Sequence, residues 1–340
     1  METIGHGLAG HSTGVARPWQ PVRMHNIDRP SAVVFPGQGS QFPGMADPWT
    51  QHPAGKDVID EASRAMGRDI AAGCRDEAAL ATTEFVQPAL LACAVAAFRV
   101  LEAEGAAFGG AAGHSLGEFA ALVAADVIGL ADALDVVVIR GRAMQRAGEE
   151  RPGTMCALLG IDAERASSLC EDARDSDVLV VANENSPVQV VISGSISAIE
   201  RAESLAKARK IRAVRLNVAG AFHSALMEPA VAPIVQRLDA VEFRTPRFPI
   251  AENVSGSLVH DPDELRALLA RHVVSPVRWE SCVRALSDAG ATVFIEAGPG
   301  DVLTRLAKRV IPEATAVAVG SPEAASAIAG ARGAGDGAHP

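Results

Sequence analysis

The sequence predicts an α/β protein: a large α/β-hydrolase-like subdomain with an inserted, smaller ferredoxin-like (βαββαβ) subdomain. Three observations predict it. Short apolar runs alternate with helical patterns along the chain. The pentapeptide Gly113-His114-Ser115-Leu116-Gly117 lies between a Gly/Ala-rich run and a helical pattern, Glu118 to Ala125, which is the setting of a strand-to-helix turn around a serine. Residues Gly153 to Asn217 read as strand, helix, strand, strand, helix, strand.

The composition bounds the function. A chain of 340 residues with 48% apolar content can bury one large core or two ordinary ones. No apolar run suggests a membrane span, and no signal-peptide core opens the chain, so a cytoplasmic protein without membrane attachment is expected. Cys74, Cys93, Cys156, Cys170 and Cys282 are scattered, with no CxxC pair, so neither a metal site nor a disulfide framework is expected. A net charge of −10 disfavours nucleic acid as a partner.

Residues 1–29, with His6, His11 and His25 among glycines, lack periodicity and read as a disordered leader. Residues 30–152 and 218–320 are assigned to the large subdomain, 153–217 to the small one, and 321–340, rich in alanine and glycine, to a frayed helix and flexible tail. Ser31 to Phe35 is a buried strand that runs into Pro36-Gly37-Gln38-Gly39-Ser40-Gln41, read either as a plain turn or as a loop bringing backbone to a ligand. Gln87 precedes an apolar helix, Ala89 to Leu101, as a helix-start residue or a polar contact to a site.

At the pentapeptide, Ser115-x-x-Glu118 fits a capping box, but a cap requires neither flanking glycine. As a nucleophile, Ser115 would stand at a helix N-terminus with the Leu116 amide free for an oxyanion. In the next helix, Leu130 to Ala147, Arg140 interrupts the stripe of Ala133, Val137 and Met144. An inward guanidinium must find an anion, supplied by the protein or by a ligand. The small unit is read as strand Met155–Leu159, helix Ala163–Ala173, strands Val178–Ala182 and Gln189–Ser193, helix Ser195–Ala208 and strand Ile211–Leu216. Its basic stretch, Lys207, Arg209, Lys210, Arg212 and Arg215, is either a charged edge or a landing patch for an acidic partner. His223 stands at the return to the large subdomain, where clefts form. Phe248 to Val254 and Val293 to Glu296 are read as further strands ending in loops.

These residues, in this order, resemble the malonyl-CoA:acyl carrier protein transacylase family, which includes polyketide synthase acyltransferase domains. The resemblance runs from about Ser31 to Ile311 through FPGQGSQ (35–41), QPALL (87–91), GHSLGE (113–118), RGRAMQ (140–145), NSPVQVVISG (185–194), AFHSALM (221–227), SPVRW (275–279) and EAGPGDVLT (296–304). It implies Ser115 as nucleophile, His223 as general base, Gln38 with the Leu116 amide at the oxyanion, and Arg140 gripping the malonyl carboxylate. It places Phe222, His114, Gln87, Asn185 and His272 in the substrate-binding set. Phe222-His223 resembles the malonyl-type signature, where methylmalonyl types carry Ser-His. His272 departs from the glutamine of many bacterial relatives, whose backbone carbonyl orients the catalytic histidine.

The implied reaction is ping-pong. Ser115 takes malonyl from CoA, and the phosphopantetheine thiol of a carrier protein takes it from Ser115. No bound cofactor is expected. The expected partners are malonyl-CoA and an acyl carrier protein, of fatty-acid or polyketide service, with Lys207, Arg209 and Lys210 as a docking patch on a monomer. The alternatives are an acyltransferase for another alkylmalonyl unit, a serine thioesterase or acyl hydrolase using the same pair, and a catalytically silent docking module.

Overall fold

The computed structural model describes residues 31–333. The expected leader and the last seven residues of the expected tail lie outside them. The chain is a mixed α/β protein built on two sheets. The first part contains β1 (Ser31–Phe35), α1 (Pro53–Met66), the short α2 (Ile70–Gly73) and α3 (Glu77–Leu80), α4 (Thr83–Ala103), β2 (Gly110–Gly113), α5 (Gly117–Ala124) and α6 (Leu130–Glu150). The middle contains β3 (Gly153–Leu159), α7 (Ala163–Arg174), β4 (Leu179–Ser186), β5 (Gln189–Ser195), α8 (Ile196–Ala208) and β6 (Arg212–Arg215). The last part contains α9 (Val231–Leu238), β7 (Ile250–Ala251), β8 (Leu258–Val259), α10 (Pro262–Ala270), α11 (Trp279–Asp288), β9 (Val293–Ala297), α12 (Val302–Val310), β10 (Thr315–Val319) and α13 (Pro322–Gly333).

The larger sheet has the order β10-β9-β1-β2-β7-β8, parallel except for the β7–β8 pair. After Ser31, β1 is apolar because both of its faces are covered. Val33 and Phe35 enter the core packed by α4, while Ala32 and Val34 enter the core packed by α11 and α12. Side chains that alternate across a strand therefore join two different clusters. α4 is long and apolar enough to cross a membrane, but 89% of its apolar window is buried, so here it serves as the central core helix.

The smaller sheet has the order β4-β5-β3-β6, antiparallel throughout. Cys156, Leu158, Val190 and Ile192 point to α7 and α8, whereas Met155, Ala157 and Val191 point toward the larger subdomain. A parallel bridge between Asn183 and Val277 fastens β4 to the loop before α11.

Two expectations are corrected. The helix expected after residue 321 is present as α13 but is not frayed in its first turns, because Ala324, Ala325 and Ile328 are buried in the main core against α4. Small residues pack closely there despite weak periodicity. The strand expected over 248–254 is only the two residues of β7. Its continuation turns at Glu252, whose carboxylate accepts the amides of Val254 and Ser255.

Candidate active site

The cleft between the two sheets has a volume of about 350 Å³ and is lined in part by Gln38, Gln87, His114, Ser115, Arg140, Asn185, Phe222 and His223. The loop after β1 and the turn after β2 lie at the C-terminal ends of adjacent parallel strands, where open α/β sheets bind ligands.

The turn after β2 exists because of its glycines. A Cβ at Gly113 would sit 1.9 Å from the Gly117 carbonyl carbon, and one at Gly117 would sit 2.1 Å from the Phe35 oxygen. Ser115 itself has φ 49, in the left-handed region that L-residues adopt only under constraint. The capping-box reading fails on hydrogen bonding. Leu116, not Ser115, stands at the N-cap, and no side chain caps the helix. The Ser115 amide donates to Asn253 Oδ1, and the Glu118 carboxylate accepts the Asn253 amide instead.

Ser115 Oγ lies 2.8 Å from His223 Nε2. The other ring nitrogen, Nδ1, lies 3.1 Å from the His272 carbonyl and 3.0 Å from the Ser275 carbonyl. Carbonyls only accept, so Nδ1 carries the hydrogen and Nε2 turns its lone pair to the serine. Among the described residues, no carboxylate is bonded to the ring. Burial, then the Arg140 charge, hold the His223 pKa down to about 3, so the imidazole is neutral at physiological pH.

Arg140 is 1% exposed. Nη1 donates to Gln87 Oε1 at 2.7 Å and Nη2 to Ser115 Oγ at 3.1 Å, while Nε has no partner. Among the described residues no carboxylate lies within ion-pair distance of it. Burial lowers its pKa to about 10, which still leaves it charged. Nearby Glu118 is pushed well above the usual carboxylate range by burial and by Glu252, which weakens it as a counter-ion. Of the two sources the sequence left open, the described residues place no protein carboxylate in ion-pair contact, and the guanidinium lines the cleft that holds the nucleophile.

The amides of Gln38 and Leu116 donate to no protein acceptor among the described residues, and both residues line the cleft beside Ser115. Gln87 touches the site indirectly, holding Arg140 and reaching Gln38 Oε1 at 3.5 Å. His114 Nε2 meets Asn185 Oδ1 at 2.8 Å and its ring packs against Trp279, so that pair braces the cleft wall. Phe222 is 7% exposed and presents its ring to the cavity.

His272 corrects an expectation. It does not line the cleft. It is buried behind His223, ring centroids 5.3 Å apart, with Nε2 3.3 Å from Asn253 Oδ1. Its backbone carbonyl faces the site and its side chain faces inward. Lys207, Arg209 and Lys210 are exposed at the end of α8, on the side of the small sheet turned from the cleft. Arg209 pairs with Asp172, and Arg215 with Glu203, so the basic stretch is partly neutralised. Asn253 and the Ser275 carbonyl were not singled out as functional from sequence, and Glu118 was weighed only as part of a capping box. Their roles depend on contacts across the fold, and the only signal was a polar residue ending an apolar run.

The profile of the family described as "Acyl transferase domain" matches residues 32–330. The malonyl CoA-acyl carrier protein transacylase of Escherichia coli (strain K12) is 41% identical over 301 residues, covering 87% of this chain and 97% of that protein. An acyl carrier protein S-malonyltransferase from Vibrio cholerae superposes with a TM-score of 0.82 at 41% identity, covering 86% of this chain and 97% of that one. A malonyl-transacylase solved in complex with its type II PKS acyl-carrier protein matches with a TM-score of 0.84 at 38% identity, covering 87% and 97%. With a serine–histidine pair at a glycine-enforced turn, and matches spanning nearly the whole length of these relatives, the chain belongs to the acyl transferase family.

Proposed function

We propose that the chain is a malonyl-CoA:acyl carrier protein transacylase, moving malonyl from CoA through a Ser115 ester to the phosphopantetheine thiol of a carrier protein. The observation that carries this reading is the buried, ion-pair-free Arg140 guanidinium 3.1 Å from the nucleophilic oxygen. A planar fork of that kind matches a carboxylate with two parallel hydrogen bonds. A hydrolase of neutral acyl groups would have no use for it.

His223 Nε2 takes the Ser115 proton as Oγ attacks the thioester carbonyl. The oxyanion is met by the Leu116 and Gln38 amides, each such donor being worth about 2.7–4 kcal/mol. The CoA thiolate leaves with the proton from His223. The carrier thiol then gives its proton to His223 and attacks the ester, and the proton returns to Ser115. No step calls for a bound cofactor, and the five free, buried cysteines suit a reducing cytoplasm.

The order β4-β5-β3-β6, with α7 and α8 on one face, supports reading residues 153–217 as a ferredoxin-like insert in an α/β-hydrolase-like subdomain spanning 30–152 and 218–320. The cleft at their junction admits a thioester arm from outside.

Intact-mass spectrometry after mixing with malonyl-, methylmalonyl- and acetyl-CoA tests the reading. A malonyl adduct retained on Ser115 and discharged by carrier protein is expected. Rapid hydrolysis without carrier, or no adduct, would refute it.

Phe222 sets the room at the α-carbon. Phe222→Ala should raise the ratio of methylmalonyl to malonyl transfer by about tenfold or more, since one methyl in an apolar pocket is worth about 1–3 kcal/mol. Competition between the two CoA esters measures it, and an unchanged ratio would take Phe222 out of selection.

A further inference from the structure

We propose that Asn253 is a positioning residue that fixes the nucleophile turn and, through the His272 side chain, ties it to the carbonyl that orients the general base. The proposal rests on the transacylase reading. Asn253 is fully buried and does not line the cleft, so it cannot act by touching substrate.

Its side chain straddles the strained residue. Oδ1 accepts the Ser115 amide at 2.8 Å, and Nδ2 donates to the Gly113 carbonyl at 2.7 Å. One amide therefore grips the chain before and at the position where φ is 49. Its own backbone is pinned as well, the amide donating to Glu118 Oε2 at 3.1 Å and the carbonyl accepting the Arg278 amide at 2.9 Å. The arrangement also decides which amide serves the oxyanion. The Ser115 N–H is consumed by Asn253, and the Leu116 N–H is left free for the cleft.

The amide orientation follows from these partners, because a flipped group would set donor against donor at Ser115 and acceptor against acceptor at Gly113. Oδ1 being the acceptor, His272 Nε2 must be the donor at 3.3 Å. His272 Nδ1 is then a bare lone pair, and it has no hydrogen-bond partner. The same residue offers its carbonyl to His223 Nδ1 at 3.1 Å. Nucleophile and base, 108 residues apart in sequence, are thus referenced to one buried amide. Around Asn253 and His272 stand Glu118 from α5, Glu252 beside β7, and His223, with Arg140 of α6 beyond.

Asn253→Ala should slow single-turnover acylation of Ser115 at saturating malonyl-CoA by about 10²-fold, the scale set by misplacing a reacting group by about 1 Å. KM for malonyl-CoA should stay close to its original value, because Arg140 and the cleft wall are untouched. Asn253→Asp supplies the signature that a filler of space would not give. Only the protonated acid offers one acceptor and one donor, so this variant should gain acylation rate as pH falls, where the parent protein does not. His272→Leu should slow acylation, and His272→Gln, whose amide can donate to Asn253 Oδ1, should recover most of that loss. A folded Asn253→Ala protein acylating at the parent rate overturns the proposal. So does an Asn253→Asp protein without the acid-side gain, or a His272→Gln protein as slow as His272→Leu. Failure of the unaltered protein to form malonyl-Ser115 overturns the transacylase reading instead.

Discussion

Arg140→Ala is expected to lower kcat/KM for malonyl-CoA by roughly 10²–10³-fold, while transfer from acetyl-CoA changes little or rises. Removing one partner of a buried ion pair costs about 3–5 kcal/mol, and on the proposed reading the malonyl carboxylate would lose the one Lys or Arg side chain that lines the cleft among the described residues. Acetyl has no carboxylate to lose. It also gains twice from the substitution. In the free protein Nη2 donates to Ser115 Oγ, which draws electron density from the nucleophile, and the same charge holds down the basicity of His223. On the proposed reading, Arg140 would both attract the malonyl group and restrain reaction with acetyl. Arg140→Lys should not restore selectivity. A single ammonium cannot hold Gln87 Oε1 and a carboxylate in the geometry of a fork. Parallel kinetics with the two esters measure the effect, and an equal fall for both would remove Arg140 from selection.

The features legible in the sequence were those whose cause is local. Gly113 announced the turn because the clash it avoids is with Gly117, within the same turn, whereas the oxygen that Gly117 clears belongs to Phe35 of β1 and its glycine was legible only through its spacing from Ser115. Arg140 announced itself by breaking an apolar stripe, and the stripe is indeed buried around it. The strand and helix order of 153–217 was read from spacing and reappears with boundaries shifted by a residue or a few. What stayed hidden depends on distant partners. The Asn253 amide matters because Ser115 lies 138 residues before it in the chain. For His272 the resemblance implied both a substrate-binding side chain and a carbonyl that orients His223; the carbonyl does so, but the side chain points away from the cleft to Asn253. The basic stretch after residue 206 was visible as charge, whereas Asp172, which pairs with Arg209, lies 37 residues away. The alanines of α13 gave no amphipathic signal, and their burial comes from close approach to α4.

His223→Ala should reduce acylation of Ser115 by about 10³–10⁴-fold with little change in malonyl-CoA binding, the range expected on losing a general base. The parent protein's pH dependence gives the sharper test. Burial and then Arg140 hold His223 down to about 3, so in the free protein the base stays neutral through the mildly acidic range. kcat/KM, which reports free protein, should therefore be flat there and fall only at lower pH, as the imidazole gains its proton. When a malonyl carboxylate sits on Arg140, the second of those two causes is offset. The imidazole in the complex then takes up a proton more readily, at higher pH. The acid limb of the single-turnover rate at saturation should accordingly lie above that of kcat/KM. With Arg140→Ala the Arg140 charge is absent from the free protein, and the acid limb of kcat/KM should itself move to higher pH. With His223→Ala the limb due to this group should vanish, which separates it from titration of the substrate's own carboxyl. Coincident limbs in the parent protein would mean that substrate leaves the base untouched, and Arg140 would then act through binding alone.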